Sequence, residues 1–420
     1  MSGIKRLRRV QFFQEAAATK GTTDEATSVQ RVTGTVDDQR VMHFPDEDIG
    51  YLVDTERVSN PYKFAVLEIE EGPATFEQLG YHLCAGIKRL DTGTVDTGAL
   101  ATAFIWTFPF SFEEPVNDFS TYSIEAGDNE EMEVLPYSYL KSFKLSGRPK
   151  LPIMFSGTYE ARQAERNKLV LADAVFVTGG AGACLITSVA AGLAVFKVGM
   201  NIRVEGAAVA GNNGTFTVTL SAAASLTIAE VIPGEGAVAC TIQQDFTDSA
   251  ALPDPEDIMF SKAALTINTE AVAFGNAAGA MTALMMSFDL EVETGIQARP
   301  AASGQLYFPR AALVNPSIVL RMTLEWNGDS SDEKQLWKDG GHVGRKIRIA
   351  VLGSAVTVAG DNHAYKTLFI DVAGQWEKFE KLGEDNGNDI VDVIFRGQYN
   401  TTATAFSTIT LVTNVLAALP

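Results

Sequence analysis

Residues 119–162 read FSTYSIEAGDNEEMEVLPYSYLKSFKLSGRPKLPIMFSGTYEAR, and this stretch decides the fold. It contains three runs in which successive side chains alternate between two faces, at residues 120–125, 140–146 and 152–159. Glycine, proline, asparagine and aspartate separate the runs. A period of two bounded by turn residues is typical of half-buried antiparallel strands. The stretch therefore predicts a mainly β fold.

The charge balance limits the function. The 420-residue chain has 52 acidic and 33 basic residues and a formal net charge of −19, while 46% of its residues are hydrophobic and 20% are charged. The last two values are those of a globular protein. Binding nucleic acid through its phosphates needs a basic face, which the acidic excess argues against. The same excess suits a surface that nucleic acid passes without adhering, because like charges repel.

Targeting signals and disulfides are not expected. No window approaches 18 consecutive apolar residues, and no apolar segment follows the basic residues near the N-terminus, so we expect neither a membrane span nor a signal peptide. The three cysteines, Cys84, Cys184 and Cys240, are far apart and odd in number. This favours buried free thiols in a reducing compartment, with a bond between Cys184 and Cys240 as the alternative.

Changes of pattern along the chain predict four segments. They are an N-terminal arm with loops at 1–60, a first β domain at 61–171, an inserted β domain at 172–247 and a second β domain at 248–420. Residues 1–60 are turn-rich and are expected to pack on neighbours rather than around a core of their own. The insert is rich in alanine, glycine and valine and nearly uncharged. An amphipathic helix is predicted at 75–87, with Thr75 and Gln78 as a capping box, and a second helical stretch is predicted at 331–338. The order of strands and helix thus occurs on both sides of the insert.

No pattern of residues indicates catalysis or cofactor binding. Gly180 and Gly182 follow a strand-like run, but the third glycine of a dinucleotide motif and the lysine of a phosphate loop are missing. The histidines lack the spacing of metal ligands and are His43, His82, His342 and His363. We therefore expect no metal, no cofactor and no enzymatic activity. The alternative within this class is a glycosidase that uses paired carboxylates from the group Glu130, Glu131 and Glu133.

Several stretches resemble the tail tube, or major tail, proteins of long-tailed bacteriophages, in the variety with two tube domains in one chain. They are VLEIEEGPATFEQLGYHLCAG at 66–86, the strands and acidic turn of 121–162, MSFDLEVETGIQA at 286–298, IVLRMTLEWN at 318–327 and KTLFIDVAGQWEKFEKLGEDNGNDIVDVIFRGQY at 366–399. The segment FKVGMNIRVEGAAVAGNNGTFTV at 196–218 is similar to the immunoglobulin-like or small β modules that decorate phage tail proteins.

The resemblance implies two tandem antiparallel β-sandwich or barrel domains, each flanked by a helix, and a small inserted β-sandwich of immunoglobulin type. It implies a virion protein, made in the host cytoplasm, whose copies form stacked rings and thereby a hollow tail tube. The ring would be a trimer with pseudo-sixfold symmetry or a hexamer. The implied partners are tape measure and tail terminator proteins, DNA that passes through the lumen without specific binding, and host surface glycans at the insert.

Acidic side chains are the candidates for lining the lumen or for ring contacts, because carboxylates repel DNA phosphates. They are Glu130, Glu131, Glu133, Asp289, Glu291 and Glu293. The second hypothesis is another phage structural role, as a capsid decoration protein, a baseplate protein or a glycan-binding adhesin.

Overall fold

The mainly β prediction is confirmed by the structure, a computed structural model. It describes residues 5–22, 26–46, 56–87, 94–96, 103–110, 119–190, 192–247, 250–252, 254–282, 284–339, 343–356, 363–401 and 406–414. This part of the chain contains twenty-five strands and two α-helices. Within it, no helix is long and apolar enough to cross a membrane.

The first half of the protein consists of nine strands and one helix. These are β1 (Arg9–Gln14), β2 (Ser28–Gln30), β3 (Gly34–His43), β4 (Ser59–Pro73), α1 (Leu79–Gly86), β5 (Thr94–Val95), β6 (Phe104–Pro109), β7 (Tyr122–Gly127), β8 (Met132–Gly147) and β9 (Met154–Ala161). One sheet has the order β3-β4-β9-β8 and a second has the order β2-β1-β7-β8. The long strand β8 contributes its N-terminal part to the second sheet and its C-terminal part to the first.

The inserted domain is a closed six-stranded antiparallel barrel. Its strands are β10 (Lys168–Val177), β11 (Cys184–Thr187), β12 (Asn201–Glu205), β13 (Gly214–Ala222), β14 (Ser225–Ile228) and β15 (Glu235–Asp245), in the order β10-β11-β14-β13-β12-β15. An immunoglobulin-type sandwich at 172–247 was predicted. The sheet closes instead because β15 pairs with both β10 and β12, and the barrel begins at Lys168. Its core is separate from that of the two halves.

The second half of the protein follows the barrel and has ten strands and one helix. These are β16 (Ala263–Thr269), β17 (Met285–Glu293), β18 (Ile296–Arg299), β19 (Arg310–Leu313), β20 (Ser317–Glu325), α2 (Gly328–Lys338), β21 (Arg345–Ala355), β22 (Tyr365–Phe379), β23 (Gly383–Asp385), β24 (Asn388–Gly397) and β25 (Ser407–Thr413). One sheet has the order β17-β20-β24-β22, and a second has the order β16-β21-β22-β25.

The two halves share one strand connectivity. In both, a hairpin (β3–β4, β17–β20) precedes the helix, and a long strand (β8, β22) then bends from one sheet into the other. Even the bulges agree: β8 gains a residue between Leu140 and Ser142 opposite β9, and β22 gains one between Trp376 and Lys378 opposite β24. By this register β3 corresponds to β17, β8 to β22 and β9 to β24. The repeat is therefore one of topology rather than of residues.

A single core runs through both halves. The same buried cluster contains Phe12 of β1, Phe143 of β8 and Phe288 of β17. Strand β6 of the first half also pairs with β25 of the second. Residues 1–60 were expected to pack on neighbours rather than on a core of their own. The structure differs, because β1 pairs with β2 and β7 and buries Val10 and Phe12 inside its own chain.

The helix boundaries differ from the predicted ones for local reasons. Residues before Leu79 form a turn in which the Gln78 backbone N–H donates to Thr75 Oγ1 at 3.3 Å. The Gln78 side chain donates to the Val29 carbonyl at 2.8 Å, so it does not complete the capping box expected with Thr75. Every residue of α1 is buried, which makes it a core helix rather than an amphipathic one. Helix α2 begins three residues earlier than predicted, where Asn327 and Ser330 form a capping box.

The predicted free thiols are present. Cys84, Cys184 and Cys240 are all buried and none of them forms a disulfide. A disulfide between Cys184 and Cys240 is therefore not part of this fold.

Strand β1 should stabilise the isolated chain, because Phe12 is fully buried and touches Tyr122 and Tyr159. Phe12→Ala is expected to lower the free energy of unfolding by about 3–5 kcal/mol, measured by denaturant titration of the monomer. The matched control is Phe44→Ala, because Phe44 is 68% exposed and its removal should change the value by less than about 0.5 kcal/mol. Equal effects of the two substitutions would contradict the placement of β1 in the core.

Candidate assembly interface

One contact between the halves, called the junction here, is the pairing of β8 with β17. Six residue pairs run antiparallel from Ser142 opposite Glu293 to Gly147 opposite Phe288. The junction joins the two hairpin-containing sheets into one, in the order β3-β4-β9-β8-β17-β20-β24-β22. Phe143 and Val292 are a buried pair on its core side. The two halves thus meet as neighbouring strands of a single sheet.

The outer side of the junction is electrostatically complementary. Strand β17 presents acidic residues and the C-terminal part of β8 presents basic ones. Lys144 Nζ lies 3.1 Å from Asp289 Oδ1, and Arg148 Nη2 donates to Asp289 Oδ2 at 2.6 Å. Burial tends to raise the pKa of Asp289, but hydrogen bonds from Arg148 and Lys144 outweigh it and hold the pKa below its usual value. Asp289 therefore joins the two strands as a carboxylate.

The same outer face forms an open groove of about 620 Å³ that crosses the junction. Its charged lining residues are Glu68, Lys144, Glu291 and Glu293, and the hydroxyl side chains are Ser142, Ser156, Thr158 and Ser317. Glu291 forms an ion pair with Arg321 of β20. Glu293 has no ion-pair partner in the part of the chain that the structure describes. With three carboxylates against one ammonium, the groove is a net acidic surface.

The other predicted acidic group lies in the β7–β8 turn and has a different role. Asp128 accepts hydrogen bonds from the backbone N–H groups of Glu130 and Glu131, at 2.8 and 3.2 Å. Arg203 of the barrel donates to the Glu130 carbonyl at 3.2 Å, and Arg166, just before the barrel, lies 2.5 Å from the Glu131 carboxylate. The turn is thus a docking point for the barrel.

Glu133 shares this region. Burial, reinforced by the carboxylates of Glu131 and Asp38, raises the pKa of Glu133 above its usual value. Glu133 lies at the start of β8 and the junction at its end, about twelve residues away along the strand. The six predicted acidic residues therefore form two separate groups, one at the barrel and one at the junction.

The described residues do not bring metal-ligating side chains together into a site. Among them, no group of three histidine, cysteine, aspartate or glutamate side chains could hold a metal ion. His342 lies outside those residues. His82 is buried between Phe12 and Phe155 and its Nδ1 lies 2.7 Å from Tyr159 Oη, so it is a packing residue.

Two strand edges that correspond to the junction were missed by sequence reasoning. In the described residues β3 pairs only with β4, whereas its counterpart β17 pairs on both edges. Beyond Gly374, β22 pairs only with β24 there, whereas its counterpart β8 pairs on both edges. Both edges carry charged side chains of both signs, with Asp37, Asp38 and Arg40 on β3 and Glu377, Lys378, Glu380 and Lys381 along the β22 edge. Only the shared topology shows that these two edges correspond to the junction.

The comparisons with known proteins include a distant structural likeness. No protein-family model and no curated protein sequence matches the chain. Among solved structures, the chain is similar to the Phage phi92 endosialidase at 10% sequence identity and a TM-score of 0.19. The likeness covers 76% of this chain and 53% of the endosialidase, so the chain spans about half the length of that protein. A TM-score this low carries no functional conclusion.

The junction should be sensitive to pH through Asp289. Since the folded pKa of Asp289 is lowered, its stabilisation is present above the unfolded pKa of about 3.9 and is lost as the pH falls through the folded value. Asp289→Asn is expected to cost about 1 kcal/mol of unfolding free energy at pH 7 and much less at pH 3. Urea titrations at the two pH values measure the difference. Glu293→Gln is the control and should show no such change; a pH-independent loss in Asp289→Asn would refute the ion-pair role.

Proposed function

We propose that this protein is a structural virion protein whose copies join edge to edge into rings, and that the rings stack into the hollow tail tube of a long-tailed phage. The observation that carries this proposal is the junction together with the two corresponding strand edges, β3 and the end of β22. One chain contains a complete β8–β17 pairing and leaves β3 and the end of β22 without a second strand partner in the described residues. Paired edges are the means by which such sheets avoid indiscriminate aggregation.

The register of the junction gives the register between copies. If β3 of one copy pairs with β22 of the next as β17 pairs with β8, Asp38 lies opposite Phe379 and diagonal to Lys381. Gln39 then lies opposite Lys378, and Asp37 lies opposite Glu380 and diagonal to Lys378. Cross-strand neighbours of opposite charge stabilise a sheet and like charges directly opposite destabilise it, so the charges on these two edges are mixed. The match between the edges is therefore one of backbone register, as between the halves within the chain.

Closure follows from head-to-tail repetition. The two outer edges differ, so each contact between copies is heterologous and generates a ring when the rotation closes. Three copies would give six equivalent junctions, three within chains and three between them, and hence a trimer with pseudo-sixfold symmetry. A hexamer would instead contain twelve halves.

The groove-bearing face is the proposed wall of the lumen. Glu68, Glu291 and Glu293 outnumber Lys144 there, and a net acidic wall lets DNA pass without adhering. The barrel, held at the β7–β8 turn, would project from the tube, where it could contact host surface glycans. Tape measure and tail terminator proteins would be partners at the lumen and tube end. The proposed role requires no catalysis, cofactor or membrane.

A second candidate function is a glycan-binding adhesin, capsid decoration or baseplate protein. It is favoured by the separate core of the barrel. A ligand that binds only the folded barrel would raise its thermal midpoint. Stabilisation by a host glycan together with failure to form rings would favour this candidate over the tube.

Electron microscopy of the purified protein tests assembly directly. The wild type, examined fresh and after concentration, is expected to form rings or hollow tubes with outward knobs. Replacing residues 168–245 by a short glycine–serine linker should remove only the knobs, because Lys168 and Gln243 are paired neighbours where the chain enters and leaves the barrel. Particles that remain monomeric throughout would contradict the ring proposal.

A like-charge pair tests which edges are used. In the proposed register Gln39 lies opposite Lys378, so Gln39→Lys should raise the protein concentration needed for half-assembly several-fold, because like charges directly opposite destabilise a sheet. Adding Lys378→Glu should restore assembly. Light scattering against protein concentration at low salt gives the values, and the unfolding midpoint of each monomer checks the fold. Unchanged assembly in the first variant would rule out the β3 edge.

A further inference from the structure

A segment of the second half folds back over the first half and forms a second contact beside the junction. This segment, called the arm here, is residues 294–316 between β17 and β20 and contains the β18–β19 hairpin. Phe308 of the arm is fully buried, with ring centroids 5.7 Å from Tyr137 and 6.1 Å from Tyr139. Ile296 and Ala311 belong to the same buried cluster.

Polar contacts fix the arm in place. The Arg162 guanidinium lies 4.1 Å above the Tyr137 ring centroid, and its Nε donates to the Phe308 carbonyl at 3.2 Å. At the base of the arm, Thr294 Oγ1 donates to the Leu140 carbonyl at 2.9 Å. The Lys63 backbone N–H donates to the Leu306 carbonyl at 2.9 Å. The arm therefore clasps the first half across the junction.

The first half has a segment in the corresponding place. It is the end of the β3–β4 hairpin, called the extension here and described at residues 40–46 and 56–63. Its exposed apolar side chains are Val41, Met42, Phe44 and Val58. Exposed apolar clusters of this kind mark interaction sites. Within one chain the arm reaches the base of the extension at Lys63, but no strand of the second half pairs with β3 in the described residues.

The second half has exposed apolar side chains where the extension would be received. In the first half the arm contacts Phe119 and Arg162, which are followed by Ser120 and Gln163. Val343 lies two residues before β21, as Ser120 lies two residues before β7, and Tyr399 lies two residues after β24, as Gln163 lies two residues after β9. Val343, Tyr399 and Val314 of the arm are all exposed.

We propose that the extension of one copy packs over the second half of a neighbouring copy in the same ring, at Val314, Val343 and Tyr399, as the arm packs over the first half within one chain. The inference rests on the proposed ring and names a contact that edge pairing alone does not supply. The occupant is a second copy because the extension is continuous with the β3 edge. Each junction would then have both a strand pair and an apolar contact of this kind, called the clasp here.

Photocrosslinking locates the extension. Phe44 is replaced by p-benzoylphenylalanine in chains of which half are ¹⁵N-labelled, and assembly is scored by electron microscopy before irradiation. Crosslinked peptides that join a labelled to an unlabelled chain are expected from residues 310–317, 343–346 or 396–401. Crosslinks to the same chain alone, or to other surfaces of a neighbouring copy, would overturn the clasp while leaving the ring intact. A wild type that forms no rings would overturn the proposed function itself.

A variant measures the contribution of the clasp. Met42→Asp with Phe44→Asp should raise the concentration for half-assembly at least about tenfold and leave the thermal midpoint of the monomer unchanged. Val189→Asp is the matched control, because Val189 is a 93% exposed apolar residue of the barrel, and it should assemble as the wild type does. Wild-type assembly of the double variant would overturn the clasp.

Discussion

Strand-edge pairing is the constraint on which this structure depends. An open edge leaves a row of backbone N–H and C=O groups unpaired, and the β8–β17 junction satisfies such a row on both halves at once. The alternation of side chains fixes its register: a slip of one residue would turn Asp289 toward the core and Phe288 or Leu290 toward water. The ion pairs of Asp289 with Lys144 and Arg148 favour the same register. One contact thus sets the relative position of both halves.

The same constraint links the fold to its proposed role. A chain with two equivalent halves but one internal junction must leave two edges, and here these edges are β3 and the end of β22. Charged side chains on both edges discourage indiscriminate pairing of isolated chains. No chemistry beyond hydrogen bonding, apolar burial and charge is needed. The barrel lies outside this scheme, since it has its own core and is held by contacts such as Arg203 with the Glu130 carbonyl.

The sequence predicted those features of the fold that depend on local residue patterns. Alternation at 120–125, 140–146 and 152–159 located β7, the C-terminal part of β8, and β9. The turn-rich composition of residues 1–60 concealed the core strand β1, because RVQFFQ is too short for alternation to reveal. Of the candidate acidic residues, Asp289 proved to be bound in an ion pair, whereas Glu130 and Glu131 belong to the barrel contact. The junction could not be predicted, because it pairs residues about 145 positions apart through strand edges that carry no periodic signal.

The most direct measurement is a single-particle electron cryomicroscopy reconstruction of the assembled ring at a resolution that separates strands. The account predicts an uninterrupted sheet around the lumen, with β3 of each copy beside β22 of the next in the register of Asp289 and Ser146. A ring held together through the barrel, or one in which β3 and β22 stay apart, would contradict it.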